Sequence, residues 1–198
     1  MTLGIPATAA AALLTFGAIA RNRSRAYGVE FSGRCAAAIV PAAIAMAFSV
    51  WLAVHGDRSI GKAVVLACTW ACAATDLQSG YVFDWISLGG LTASLLLASK
   101  AHALVGAMAG CGLGGGVPLL VYAVTAGRGI GLGDVKLAAA IGAGLGVACT
   151  VEALRMAAVC AGIVAFALVI TGRAQRRSAL RFAPFLAVGA SYGVLACE

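Results

Sequence analysis

Carboxylates are scarce in this chain, and three of them stand where a carboxylate is costly. Of the seven acidic residues, Glu30, Asp57 and Glu198 fall in polar linkers or at the chain end, and Glu152 sits three residues before Arg155, the spacing of a local ion pair. Asp76, Asp84 and Asp134 remain, in "AATDLQSGYVFDW" and "GLGDVKL", each beside an apolar run. Asp84 and Asp134 each precede a helical run and carry the oxygen that an N-cap requires, and for Asp84 the cap is the favoured reading. Asp76 instead ends its run, where the helix dipole disfavours negative charge. An ionisable group at that depth, abutting lipid, points to function. Two carboxylates held close have a definite chemistry: they share one proton, so one acts as base and the other as acid, and water can be driven onto an amide carbonyl. No nucleophilic side chain is needed. A serine mechanism lacks its G-x-S-x-G elbow, and His55 and His102 sit in linkers away from the aspartates.

The segment "GRGIGLGDVKL" places Gly127, Gly129, Gly131 and Gly133 in alternation before Asp134. Without a Cβ, such backbone approaches another helix end or a bound peptide closely. At membrane depth irregular backbone survives only inside protein or against a wet cavity, so this stretch is expected to wall a polar site into which Asp134 projects.

The elements that must position these groups are membrane helices. Hydrophobic residues make up 62% of the 198 residues and charged ones 11%, with a mean hydropathy of +1.00, far from a soluble domain. Lipid admits helices or closed barrels, and barrel-type alternation is missing. The fold class is therefore all-α, a polytopic transmembrane helical bundle. About eight spans are expected, near residues 3–20, 35–54, 61–75, 85–99, 101–124, 135–150, 153–171 and 182–197. If all cross, ten of the fourteen basic residues share one face: Arg21, Arg23, Arg25, Arg34, Arg128, Lys136, Arg173, Arg176, Arg177 and Arg181. That face is cytoplasmic by the positive-inside rule, the three aspartates lie on it, and both termini lie outside.

The net charge of +7 then needs no nucleic acid, with anionic membrane lipid as a partner. The apolar start is read as a retained anchor, since its Arg cluster follows the apolar run instead of preceding it. The seven cysteines lie in or beside spans without a C-x-x-C pair, so no structural metal is expected. Gly106, Gly110 and Gly114, and Gly142 and Gly146, recur at i, i+4 and read as helix-packing contacts.

The stretch "GIGLGDVKL" resembles the Gly-x-Gly-Asp signature of the type IV prepilin peptidases, intramembrane aspartic proteases that include those of Flp/Tad pilus and type II secretion systems. The similarity extends over roughly residues 61–193, to "RFAPFLAVGA" with Pro184 and Phe185. The resemblance implies a six-helix catalytic core over residues 61–198, preceded by two helices and a basic loop in residues 1–60. It implies catalytic roles for Asp76 and Asp134, with Gly131 and Gly133 shaping the loop, and includes Asp84 and Lys136 in the pattern without assigning their roles. It further implies an endopeptidase of the bacterial cytoplasmic membrane that removes the short basic leader of a prepilin or pseudopilin precursor at the cytoplasmic face, with no cofactor. Full-length relatives carry an N-terminal zinc-binding domain with C-x-x-C pairs that accompanies N-methylation. Only Cys35 occurs in the corresponding region, so no methyltransferase unit is expected. Phe83 stands where the family has proline. A small proton- or cation-coupled carrier with Asp76 and Asp134 as relay groups is the alternative, although the two halves show no repeat.

Overall fold

The computed structural model describes residues 60–79, 81–100, 102–127, 129–171 and 181–197. The two expected N-terminal helices, the retained anchor and the basic clusters at Arg21–Arg34 and Arg173–Arg177 lie outside the described residues. Those described form five helices and no strand: α1 (Ile60–Ser79), α2 (Asp84–Lys100), α3 (Leu104–Thr125), α4 (Leu132–Ile170) and α5 (Ala183–Ala196).

The helices α3 and α4 are long and apolar enough to cross a membrane. At 1.5 Å per residue the 22 residues of α3 extend ~33 Å, against a hydrocarbon layer of ~30 Å. Their outward residues are apolar too, with Val105 and Val124 on α3 and Ile163, Phe166 and Ile170 on α4 all exposed. A helix greasy on its outer face needs lipid, not water, around it. The described residues are thus all-α and fit a membrane protein.

With lipid as apolar as the core, helices associate through close packing. Glycine supplies it between α3 and α4: a Cβ added to Gly110 would strike the Gly142 carbonyl, and one on Gly114 the Ala138 carbonyl. Gly106 differs from its i+4 partners, since a Cβ there meets nothing within 4 Å. Around this seam Val65, Leu66, Ile86, Leu137, Ile141 and Leu186 are fully buried.

Gly146 is not a packing glycine. Its φ of 76° and ψ of 177° break α4 into two arms, 132–145 and 147–170, in a region of backbone space that only glycine visits cheaply. The arms run in opposite directions. Gly110 and Gly114 of α3 lie against Gly142 and Ala138 of the first arm, whereas Gly193 and Gly189 of α5 lie against Cys149 and Ala153 of the second. The α5 N-terminus reaches Asp76 and Asp76 reaches Asp134, so Leu132 and Ala183 share one end of the bundle and Gly193 and Cys149 the other. The expected turn near residues 151–152 therefore falls at Gly146 instead. Glu152 and Arg155 do pair, with Nε donating at 3.0 Å, but within a continuous helix and not in a turn. Sequence spacing could not separate Gly146 from Gly142, because both continue the same i, i+4 row.

Candidate active site

Asp76 sits in the last turn of α1, and only 6% of it is exposed. The Ala183 backbone N–H, at the start of α5, donates to its carboxylate, and the Arg181 guanidinium acts on it from the same segment. Arg181 Nη1 also donates to the Leu77 carbonyl, one of the acceptors left open at the α1 C-terminus. Asp76 Oδ2 has no hydrogen-bond partner among the described residues. A buried polar atom without a partner costs ~1–3 kcal/mol, more when charged, and calls for an explanation.

Asp134 comes to the same place from α4. The helix is capped by Gly131, whose extended backbone (φ −82°, ψ 155°) lets its carbonyl accept from the N–H groups of Asp134 at 3.1 Å and Val135 at 3.3 Å. Asp134 is therefore the third residue of the helix and not its cap. Its Oδ2 reaches back to accept the Gly131 N–H at 3.2 Å, an arrangement that satisfies an orphan donor and suits the dipole. The Asp134 and Asp76 carboxyls interact electrostatically. Cys72, one turn before Asp76 and fully buried, feels both charges.

The glycines divide into two jobs. Gly127, at φ +76°, donates its N–H to the Tyr122 carbonyl at 2.9 Å and closes α3 behind the left-handed Ala126. Gly133 is a point of close approach, since a Cβ there would stand 3.0 Å from Val82 Cβ. The short connection from α1 to α2 thus lies directly on the first turn of α4.

Asp84 is not the cap of α2. The Phe83 carbonyl accepts from Ile86 N–H at 3.0 Å and Ser87 N–H at 3.3 Å, which makes Phe83 the cap and Asp84 the first helical residue. Phe83 itself is buried in the core, so the residue standing in the family's proline position serves as an anchor for the loop. Asp84 Oδ2 lies 2.8 Å from Lys136 Nζ, a pairing that also gives Lys136 a structural account. Val82 on Gly133 and Asp84 on Lys136 strap the α1–α2 connection to the start of α4 on both sides of Asp134.

At the opposite end of these helices lie Lys100, in the last turn of α2, and Lys62, whose charge acts on Cys149. Lys136 and Arg181 lie at the aspartate end, in the grouping expected from sequence. In the sequence Arg181 is only one more basic loop residue. Its contact with Leu77 spans 104 positions, and no local pattern announces it.

A helical membrane protein with two interacting carboxyls where three helix ends meet is built to carry polar chemistry at one end of the bundle. The model of the type IV leader peptidase family matches residues 63–166, and the chain belongs to that family. It is accordingly a peptidase of the prepilin-leader type. Neither among curated proteins nor among solved structures is there a match.

Proposed function

We propose that this chain is an intramembrane aspartic endopeptidase in which Asp76 and Asp134 are the catalytic pair. The observation that carries the reading is the buried, unpartnered Asp76 Oδ2 beside a second carboxyl. Asp134 is half-buried, so it can meet water and substrate from the open side. In the reactive form one carboxyl is ionised and the other protonated, because two charges so close cannot both form cheaply. The ionised group removes a proton from water as its oxygen bonds to the scissile carbonyl carbon. The protonated group gives its proton to the developing oxyanion. Collapse breaks the C–N bond, the amine leaves with a proton from the pair, and an acid and an amine are produced. Ala183 N–H and Arg181 hold Asp76 in place throughout.

The substrate is a prepilin or pseudopilin precursor, whose basic leader lies on the cytoplasmic side ahead of an apolar helix. Its leader ends in glycine, which lowers the cost of unwinding the helix to expose the bond. The core is a six-crossing unit formed by residues 61–198, with the two arms of α4 as separate crossings and the aspartates facing the cytoplasm of a bacterial inner membrane. Gly131 and Gly133 shape the loop that carries Asp134.

The test is cleavage of a prepilin by purified Asp76→Asn and Asp134→Asn variants in detergent, with folding checked by circular dichroism. Each amide preserves shape but can neither accept the proton of water nor supply an acidic one. Each should lose nearly all turnover, and the double variant should be little worse than either single, as for groups acting as one unit. Near-wild-type turnover by either variant removes the dyad.

A further inference from the structure

Away from the aspartates, at the Gly146 end of the bundle, two thiols face one another. Cys149 opens the second arm of α4 and is buried, and Cys197 is the C-cap of α5. Three observations bring them together. Their side chains lie close enough to act on one another. Gly193, one turn before Cys197, sits so close to the second arm that a Cβ on it would stand 2.6 Å from the Cys149 carbonyl oxygen. Cys197 also packs on the same apolar cluster that contains Cys149. All six described cysteines are free thiols.

We propose that Cys149 and Cys197 are a redox pair that closes into a disulfide and clamps α5 to the second arm of α4. A bridge needs Cα atoms about 4.4–6.8 Å apart, and the close packing at Gly193, one turn before Cys197, keeps the two backbones near one another. Cys197 ends its helix with non-helical backbone, φ −105° and ψ 42°, so it can turn its sulfur without disturbing a helical ladder. It is also the less buried of the two, and hence the one that an oxidant meets first.

The oxidant is a disulfide, either of a small-molecule thiol or of a thiol–disulfide oxidoreductase. The Cys197 thiolate attacks one sulfur of that disulfide, forming a mixed disulfide and releasing one thiol. The Cys149 thiolate then displaces the second thiol and closes the bridge. Two protein thiols lose two electrons and two protons, and the oxidant disulfide gains them.

The clamp has a target at the far end of its helix. The 14 residues of α5 span ~21 Å, from Cys197 to the Ala183 N–H that holds Asp76. Fixing one end of this helix restrains the other.

The experiment uses the full chain, purified in detergent with reductant, then freed of it and treated with oxidised glutathione. Alkylation in denaturant and intact mass should find five of the seven cysteines reactive and the protein lighter by two hydrogen atoms. A non-reducing peptide map should link the Cys149 and Cys197 peptides within one chain. Cys68→Ser should leave this result unchanged, and Cys197→Ser should abolish it. The oxidised wild type should unfold at a higher temperature than the reduced one, followed by circular dichroism. Seven reactive cysteines, a persistent glutathione adduct on Cys197, a link to any other cysteine or between chains, or equal unfolding temperatures would each overturn the proposal.

Discussion

Replacing Lys136 with methionine keeps the apolar stem and removes the charge that meets Asp84. In the structure the ammonium and carboxylate are 2.8 Å apart, with 38% and 60% of the two side chains exposed. That much water leaves the pair near the dielectric of bulk solvent, where unit charges 4 Å apart gain ~1 kcal/mol before side-chain entropy is subtracted. Exposed pairs are worth ~0.2–1 kcal/mol on measurement. The unfolding midpoint of Lys136→Met should therefore fall by no more than about 4 °C. Its effect on leader cleavage should be larger than its effect on folding. Asp84 begins the helix that follows Asp76, and Lys136 comes two residues after Asp134, so their contact sets the spacing of the two chain segments that carry the carboxyls. A misplacement of ~1 Å in a reacting pair costs ~100-fold in rate. Initial rates of prepilin cleavage in detergent should show kcat lowered by about 10- to 100-fold with KM little changed. The exchanged pair, Asp84→Lys with Lys136→Asp, should recover part of the loss, less the ~0.3–1 kcal/mol that a lysine at a helix N-terminus costs. A Lys136→Met rate within about twofold of wild type, or an exchanged pair worse than both singles, refutes the strap.

The α3–α4 seam predicts a contrast between two glycines: Gly142→Ala drives a methyl into the Gly110 carbonyl, while Gly112→Ala points into open space. Thermal unfolding in detergent should show the first destabilised by ~1–3 kcal/mol or more and the second unchanged or stabilised by up to ~1 kcal/mol. Gly133→Ala should slow cleavage because its Cβ would stand 3.0 Å from Val82 Cβ, and Val82→Ala in the same chain should restore much of the rate; equal defects in single and double variants count against that contact. The wild-type rate should pass through a maximum with pH, its two limbs belonging to the carboxyl pair jointly, and a profile flat across the acid range would argue against carboxylate chemistry.

Much of this molecule was legible because lipid makes rules strict. An aspartate in the last turn of an apolar helix has few innocent explanations, so Asp76 stood out, and Asp134 followed from its glycines. The close contacts of Gly110 and Gly114 were readable from i, i+4 spacing. Other features were hidden for physical reasons. Capping turns on one to three residues of register, so Phe83 is the cap where Asp84 is the favoured reading, and Gly131 takes the cap that Asp134 could also have filled. The contacts of Arg181 with Leu77 and of Lys136 with Asp84 join segments far apart in the chain, and neither leaves a periodic trace. Gly146 continues a packing row while adopting a backbone that no row would predict.

The reversal at Gly146 bears on how the protein is made. The arm that carries Asp134 has about fourteen residues, or ~21 Å of helix, well short of the ~30 Å that a lone segment must cross, and it brings an aspartate and a lysine with it. Such a segment emerging from a ribosome has too little apolar length to remain in the bilayer unaided. The second arm, about twenty-four residues and mostly apolar, supplies what it lacks. On the proposed reading of the two arms as separate crossings, joined by a single glycine, they would enter as one hairpin.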